Sequence, residues 1–194
     1  VTRALLHRIA QWQPHLNAFM SIESEAALKA SEAADAELAK GKVRGPLHGV
    51  PIVLKDNYNT HDLQTTAGSQ LLAGSLPPSD AFVVKKLRAA GAIVLAKVNM
   101  SEFASGGGSV GGAKDPAVLK AGTVPDGYSS MGGQTHNPHA LDHGPSGSSG
   151  GTGASIAAVF AQFGLGTDTA SSVRGPSSVN GIFGLKPTTG LLSR

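Results

Sequence analysis

The sequence predicts an α/β protein in which helices pack against a sheet. Two observations lead to this prediction. Residues 23–40 have a helical pattern and precede the apolar run in 48–60, and the same order recurs where residues 80–90 precede 92–99. A helix followed by a short apolar run, twice over, is typical of a layered architecture with buried strands.

Four segments have the pattern of helices: residues 2–10, 23–40, 80–90 and 151–163. The second is the clearest, because its alanines and Leu38 form one apolar stripe that ends at Gly41. The fourth is rich in Gly and Ala, so we expect it to pack closely within the core. Each of these segments is long enough for two or more helical turns.

Strands are predicted where short apolar runs end abruptly. The run in 48–60 ends in charged residues, which is typical of a buried strand that emerges at a functional site. Residues 92–99 form a second buried strand, 164–167 a short one, and 181–188 a last apolar segment. Between Ser105 and Gly147 no periodicity is present, and we expect the Gly-rich part at 105–134 to be a substrate cover or disordered.

Composition excludes several classes of protein. The chain of 194 residues has no cysteine, so disulfides, thiol catalysis and thiolate zinc sites are excluded. Its net charge of +3 is mild and has no basic run, so we expect no nucleic-acid partner. We expect no membrane span and, since no secretory signal is visible, a cytoplasmic protein. The seven histidines lack helical metal-ligand spacing, and we expect no metal site.

Residues 147–151 read G-S-S-G-G and match the G-x-S-x-G pattern of a nucleophile elbow. That elbow requires a strand directly before it. Residues 136–145 contain two prolines and no apolar alternation, so they do not form a central strand. Neither a Walker phosphate loop nor a dinucleotide-binding glycine pattern in the required context is present.

Lys55 is the strongest candidate for a base. It follows the apolar residues 50–54, so its ammonium is expected at the end of a buried strand. Burial disfavours the charged form of lysine and allows it to act as a base on a serine hydroxyl. The alternative is that Lys55 pairs with Asp56 or with another acid, and spacing alone favours this alternative.

Six segments together resemble the amidase signature family. They are 48-HGVPIVLKDN-57, 96-AKVNMSEFA-104, 133-GQTHNP-138, 144-GPSGSSGGTGAS-155, 166-GTDTASSVRGPSS-178 and 182-IFGLKPTTG-190. Their order and separations are similar to those of the family, from about Gly45 to the end of the chain. The resemblance implies a layered fold with a mixed β-sheet flanked by helices.

The resemblance also implies a catalytic triad of two serines and a lysine. Position by position, Lys55 is the lysine of the triad, Ser148 the middle serine and Ser172 the nucleophile. Ser149 and Arg174 match supporting positions of the family's motifs, as does Asp168. The resemblance also implies a cis peptide bond between Gly147 and Ser148. It implies no metal and no organic cofactor.

The family's oxyanion hole corresponds to the backbone N–H groups of Thr169, Ala170, Ser171 and Ser172. Most members have two glycines where this chain has Ala170 and Ser171. Ala and Ser pay a steric cost at positive φ that Gly does not. We therefore expect the oxyanion hole to be altered if those positions need positive φ.

The function implied is hydrolysis of a linear carboxamide, a small-molecule substrate, to an acid and ammonia or an amine through an acyl-enzyme. We expect residues 1–194 to be a single domain, the N-terminal part of a longer chain whose remainder is absent. Two alternatives stay open. One is the glutaminase subunit of a tRNA-dependent amidotransferase, and the other is a non-catalytic fragment or pseudoenzyme. The sequence does not indicate the oligomeric state.

Overall fold

The computed structural model describes residues 1–105 and 124–192. Helices and strands alternate along most of the chain, with two single 3₁₀ turns between them at Gln70–Leu72 and Glu102–Ala104. The elements are α1 (Thr2–Leu16), β1 (Phe19–Ile22), α2 (Ser24–Leu38), β2 (Pro51–Lys55), α3 (Phe82–Ala89), β3 (Ile93–Val98), β4 (Tyr128–Ser129), β5 (Gly133–Gln134), α4 (Gly150–Ala157), β6 (Phe163–Leu165) and α5 (Arg174–Val179).

Four strands form one mixed sheet in the order β1-β3-β2-β6. Strands β3 and β6 run parallel to β2, whereas β1 runs antiparallel to β3. A separate two-stranded ribbon joins β4 and β5. The predicted fold class, a mixed sheet flanked by helices, is confirmed.

Strand β2 is the centre of the molecule, since all five of its residues are buried. Its side chains alternate between two hydrophobic clusters. Val53 belongs to the cluster that contains Leu95 and Phe160, together with residues of α1, α2 and α4. Ile52 and Leu54 belong to the cluster on the other face, which includes residues of α3. Apolar side chains therefore cover both faces of this strand, as its continuous apolar run predicts.

The structure corrects several predicted boundaries. Helix α1 extends six residues beyond the predicted end at residue 10, and stops where Asn17 takes a left-handed conformation with φ 49°. Strand β1 was not predicted from the sequence. The last apolar segment, 181–188, forms neither a helix nor a strand, and its Phe183 and Leu185 are exposed.

Helix α4 ends at Ala157, whereas the sequence pattern predicts a helix as far as Phe163. Val159 takes a positive φ of 58° directly after the helix, so the chain turns there. This turn brings Phe160 into the core, where its ring centroid lies 5.5 Å from that of Phe19. Residues 158–163, which the pattern assigns to the helix, therefore place Phe160 in the core and lead into β6.

A groove of about 940 Å³ borders β6, the strand at one edge of the sheet. Its walls are mainly apolar and come from α4, α5 and residues 181–192. Ser149 and Val173, the sequence neighbours of Ser148 and Ser172, also line it. Within residues 1–105 and 124–192, no helix is long and apolar enough to cross a membrane.

The position of Phe160 predicts a large effect of its removal on stability. Phe160→Ala deletes a fully buried ring and leaves a cavity, so we expect the free energy of unfolding to fall by about 3–5 kcal/mol. Phe183→Ala is the matched control, because Phe183 is fully exposed and its loss should change stability by less than about 0.5 kcal/mol. Urea denaturation measures both, and equal losses would contradict the assigned core.

Candidate active site

The candidate site lies at the carboxyl edge of the parallel strands. Strands β2, β3 and β6 run in the same direction, so the segments that follow them leave the sheet at one edge. These segments begin at Asp56, Asn99 and Gly166. Ligand sites of open α/β sheets form at this edge, and the predicted residues Lys55, Ser148 and Ser172 are distributed around it.

Lys55 is the last residue of β2 and is fully buried. Its Nζ donates hydrogen bonds to Ser148 Oγ at 2.6 Å and to Thr167 Oγ1 at 2.8 Å. Burial lowers the pKa of Lys55 from its ordinary value to about 7, although the negative charge of Asp168 opposes this shift. A substantial fraction of Lys55 is therefore neutral near pH 7, and a neutral amine can accept a proton.

Asp56 does not pair with Lys55, so the pairing that spacing favours is wrong. The Asp56 carboxylate instead lies 3.3 Å from Nζ of Lys97, a second fully buried lysine on β3. Its other oxygen accepts a hydrogen bond from the Thr66 N–H at 3.0 Å. The hydrogen-bond partners of Lys55 are therefore the hydroxyl oxygens of Ser148 and Thr167, whereas the spacing favoured a carboxylate.

Ser148 and Ser149 lie directly before α4, and both are buried. The peptide bond between Gly147 and Ser148 is cis, as the resemblance implies. The Ser148 carbonyl accepts a hydrogen bond from the Ser101 N–H at 3.0 Å, which ties this segment to the residues after β3. A Cβ at Gly147 would collide with the Ser101 hydroxyl, so any larger residue there requires the Ser101 side chain to move.

Ser149 holds the segment after β6 in place. Its Oγ lies 3.3 Å from both the N and the O atoms of Thr167. Its backbone N–H donates to the Ser172 carbonyl at 3.2 Å. The second serine of the pair therefore connects the two serine-rich segments through backbone contacts.

Asp168 and Arg174 close the segment that carries Ser172. One Asp168 oxygen accepts hydrogen bonds from the N–H of Val173 at 3.1 Å and from Arg174 Nε at 3.1 Å. Arg174 also donates to the Ala170 carbonyl. These hydrogen bonds, chiefly those from the Arg174 side chain, lower the pKa of Asp168 to about 2, so it is charged at neutral pH.

The structure brings two of the three predicted catalytic side chains into contact. Ser172 is half-buried in the neighbouring loop, with its carbonyl bonded to Ser149. In the part of the chain that the structure describes, no hydrogen bond joins the Ser172 hydroxyl to Ser148 or Lys55. The Lys55–Ser148 contact is thus formed, and Ser172 lies on the adjoining segment.

The segment of the predicted oxyanion hole is exposed at Thr169, Ala170 and Ser171. Among the described residues, no backbone carbonyl or side chain accepts a hydrogen bond from the N–H groups of these residues or of Ser172. None of the four has a positive φ. The steric cost expected for Ala170 and Ser171 in place of glycine therefore does not arise.

Sequence reasoning missed Thr167 as a member of the site. Its hydroxyl oxygen accepts hydrogen bonds from Lys55 and from Asn57 Nδ2, the latter at 3.0 Å. Tyr58 donates to the Gly166 carbonyl at 2.8 Å and fixes the same segment. A polar residue two positions after a strand, at the edge where Lys55 emerges, was the available signal.

One cluster has the composition of a metal site. Ligand atoms of His61, Asp62 and Asp80 lie within 4.8 Å of one another. The Arg88 guanidinium lies 2.8 Å from Asp62 and 3.1 Å from Asp80. This one cation bridges the two carboxylates, so the cluster is explained as an ion-pair network.

The fold is α/β, and at the carboxyl edge of its sheet a buried lysine contacts the serines that precede α4. These two features define the class of protein. The sequence profile of the Amidase family matches residues 1–194. The chain belongs to that family.

Relatives and solved structures agree with this assignment. One subunit of the glutamyl-tRNA(Gln) amidotransferase of Acidothermus cellulolyticus is 45% identical over 194 residues, which are 100% of this chain and 35% of the relative. Native peptide amidase from Stenotrophomonas maltophilia has a TM-score of 0.88 at 42% identity, over 100% of this chain and 37% of that one. A 6-aminohexanoate cyclic dimer hydrolase has a TM-score of 0.74 at 29% identity, over 93% and 33%. The chain spans about a third of the length of the curated relatives it matches.

The pKa of Lys55 predicts a pH-dependent stability. Because its pKa is about 7 in the folded state and about 10.4 in an unfolded chain, the unfolded state binds more protons between these values. The free energy of unfolding of the wild type should therefore rise relative to that of Lys55→Met by up to about 1.4 kcal/mol per pH unit as the pH increases above 7. Below pH 7 the difference should level off.

Urea denaturation at pH 6, 8 and 9 measures this difference. Lys85→Met is the control for loss of one lysine charge, since Lys85 is exposed on α3. Parallel pH curves for the wild type and Lys55→Met would contradict the low pKa.

Proposed function

We propose that this chain carries the catalytic groups of an amide hydrolase, with Ser172 as nucleophile, Ser148 as proton relay and Lys55 as base. The observation that carries this proposal is the 2.6 Å contact between Lys55 and Ser148 at the end of a fully buried strand. A lysine with a pKa of about 7 is suited to accept a proton from a hydroxyl at neutral pH. The substrate is a linear carboxamide.

The first step forms an acyl-enzyme. Ser172 Oγ attacks the amide carbon while its proton passes to Ser148, and the Ser148 proton passes to neutral Lys55. When the tetrahedral intermediate collapses, the C–N bond breaks and the nitrogen takes a proton from Ser148. Lys55 returns its proton to Ser148, so the base is neutral again before the next step.

The second step releases the acid. Water attacks the ester carbon of the acyl-enzyme, and its proton follows the same route through Ser148 to Lys55. Collapse of this intermediate breaks the bond to Ser172 Oγ, which recovers the proton. All proton transfers are thus assigned to Lys55, Ser148, Ser172, the substrate nitrogen and water.

The negative oxygen of each intermediate is stabilised by backbone N–H groups between Thr169 and Ser172. Their lack of internal hydrogen-bond partners among the described residues supports this role. Removal of one such donor typically costs about 2.7–4 kcal/mol in the barrier. Asp168 and Arg174 act by holding the loop that presents these groups.

The similarity to a peptide amidase, 42% identical over the whole of this chain, supports amide hydrolysis. The amidotransferase relative supports a second candidate, a glutaminase that supplies ammonia within a complex of several chains. Both candidates share the proposed groups, and they differ in the acyl donor and in the need for partner chains.

Covalent labelling with an aryl sulfonyl fluoride tests the nucleophile without a known substrate. We expect one adduct on Ser172, located by peptide mass analysis, and none in Ser172→Ala. Ser178→Ala is the matched control, because Ser178 is an exposed serine on α5. Lys55→Ala should lower the labelling rate at pH 7 by about 100-fold or more.

The pH dependence of labelling gives a second test. The neutral form of Lys55 is the active one, so the rate should rise as the pH increases through about 7 and then level off. An adduct on another serine, or labelling that is independent of Lys55 in folded protein, would overturn the assignment.

Ammonia release separates the two candidate functions. The hydrolase should release ammonia from a blocked peptide amide without any partner chain. Activity only on glutamine, and only after the partner chains of an amidotransferase are added, would favour the second candidate. An enzyme-coupled ammonia assay measures both, with Ser172→Ala as the blank.

A further inference from the structure

Lys97 is a second fully buried lysine beside the candidate site. It lies on β3, opposite Leu54 in the register with β2. Its Nζ contacts Thr65 Oγ1 at 2.8 Å, the Gln64 carbonyl at 3.1 Å and Asp56 Oδ1 at 3.3 Å. A buried charge is tolerated when it is paired, and Asp56 is the carboxylate that pairs with it.

Asp56 is fully buried and directly follows Lys55 in the sequence. Its Oδ2 accepts hydrogen bonds from the Thr66 N–H at 3.0 Å, from the Thr66 hydroxyl and from the Gly68 N–H at 3.3 Å. Its Oδ1 accepts no hydrogen bond from the described residues and has the ion-pair contact with Lys97. The carboxylate is therefore directed toward the segment 64–68.

We propose that Lys97 is a positioning residue, which binds the Asp56 carboxylate on the side of segment 64–68 and so leaves the Lys55 ammonium with hydroxyl partners. The proposal rests on the proposed function, in which Lys55 must lose its proton. In this proposal Lys97 acts on Lys55 through Asp56 and does not contact the substrate.

Charged side chains lie on two sides of Lys55. On the β3 side they are Asp56 and Lys97. Burial lowers the pKa of Lys97, and the charges of Asp56 and Asp62 oppose this shift. On the β6 side Asp168 acts on Lys55, and Arg174 pairs with Asp168. Helix α4, which packs on β2, contributes no charged side chain.

The carboxylates of Asp56 and Asp168 each have a cationic side chain beside them, Lys97 at 3.3 Å and Arg174 at 3.1 Å. Without Lys97, the Asp56 carboxylate would lose its cation, while three donors would still bind its Oδ2. An unbalanced negative charge in the interior favours the protonated form of the other buried lysine, Lys55. Its pKa would then rise from about 7, and less of the neutral base would be present at neutral pH.

NMR of protein with ¹³C-labelled lysine measures the pKa of Lys55 directly, with its signal assigned by its loss in Lys55→Arg. We expect Lys97→Met to raise the pKa of Lys55 by about one unit or more. Asp56→Asn/Lys97→Met removes both charges, so the pKa should return to within a few tenths of the wild-type value. Lys97→Arg keeps the cation and should leave it unchanged.

Labelling of Ser172 gives the functional readout. In Lys97→Met the rate at pH 7 should fall about fivefold, because a rise of one unit from a pKa of about 7 lowers the neutral fraction of Lys55 from about one half to about one tenth. The rate should recover by pH 9. A merely structural role for Lys97 would lower the rate at every pH. Recovery at high pH therefore supports positioning, and a uniform loss overturns it.

An unchanged pKa of Lys55 in folded Lys97→Met overturns the proposal. A raised pKa of Lys55 that persists in Asp56→Asn/Lys97→Met overturns it as well. If Lys97→Met does not fold, Asp56→Asn supplies the test. This variant leaves the Lys97 charge without its carboxylate, so the pKa of Lys55 should fall, and an unchanged or higher value overturns the proposal.

The NMR titration separates this proposal from the proposed function, since it reads the proton on Lys55 whether or not Ser172 reacts. Absence of a Ser172 adduct together with the expected pKa shifts would reject the reaction and keep the Lys97–Asp56 coupling. An adduct on Ser172, together with an unchanged pKa of Lys55 in Lys97→Met, would support the reaction and reject the Lys97–Asp56 coupling.

Discussion

The burial of the Lys55 ammonium at the end of the central strand is the constraint on which the site depends. A charged amine in this position is costly, and its pKa of about 7 reflects that cost. The fold tolerates it because two hydroxyls, those of Ser148 and Thr167, accept its hydrogen bonds. Hydroxyl oxygens satisfy the donors without stabilising the positive charge as a carboxylate would, so the amine can lose its proton.

The same edge of the sheet contains a second buried lysine, Lys97, whose partners include a carboxylate as well as a hydroxyl. Lys97 contacts a carboxylate, whereas Lys55 contacts hydroxyls, although the two residues lie on neighbouring strands. Successive side chains leave a strand on opposite sides, which allows Lys55 and Asp56 to take different partners. In the proposed arrangement, the ion pair with Lys97 then holds the Asp56 carboxylate away from Lys55. A neutral base beside a closed ion pair is the arrangement that the proposed relay needs.

Local sequence patterns were sufficient for the elements that face the core on both sides. The apolar runs at 51–55 and 93–98 predicted β2 and β3, and the charge after the first run marked the edge where Lys55 emerges. Strand β1 was missed because Phe19–Ile22 is short and has only one buried residue. The partners of Lys55 and Asp56 lie 93 and 41 residues away in sequence, so no local pattern could indicate them, and spacing favoured the wrong pair. The roles of Ser148 and Ser172 came from the family resemblance alone, and they stay predictions, as does the single domain over 1–194.

In the loop of Ser172, hydrogen bonds to Asp168 and to the Ala170 carbonyl fix a backbone conformation that does not require glycine. Ala170 and Ser171 stand where most family members have glycines, yet neither needs a positive φ here. Hydrogen bonds from Val173 and Arg174 to Asp168, and from Arg174 to the Ala170 carbonyl, fix the loop from within. The backbone N–H groups can thus keep their direction whichever small side chain the two positions carry. Since both side chains are exposed, a change at either position alters the rim of the proposed site and leaves the contact between Lys55 and Ser148 in place.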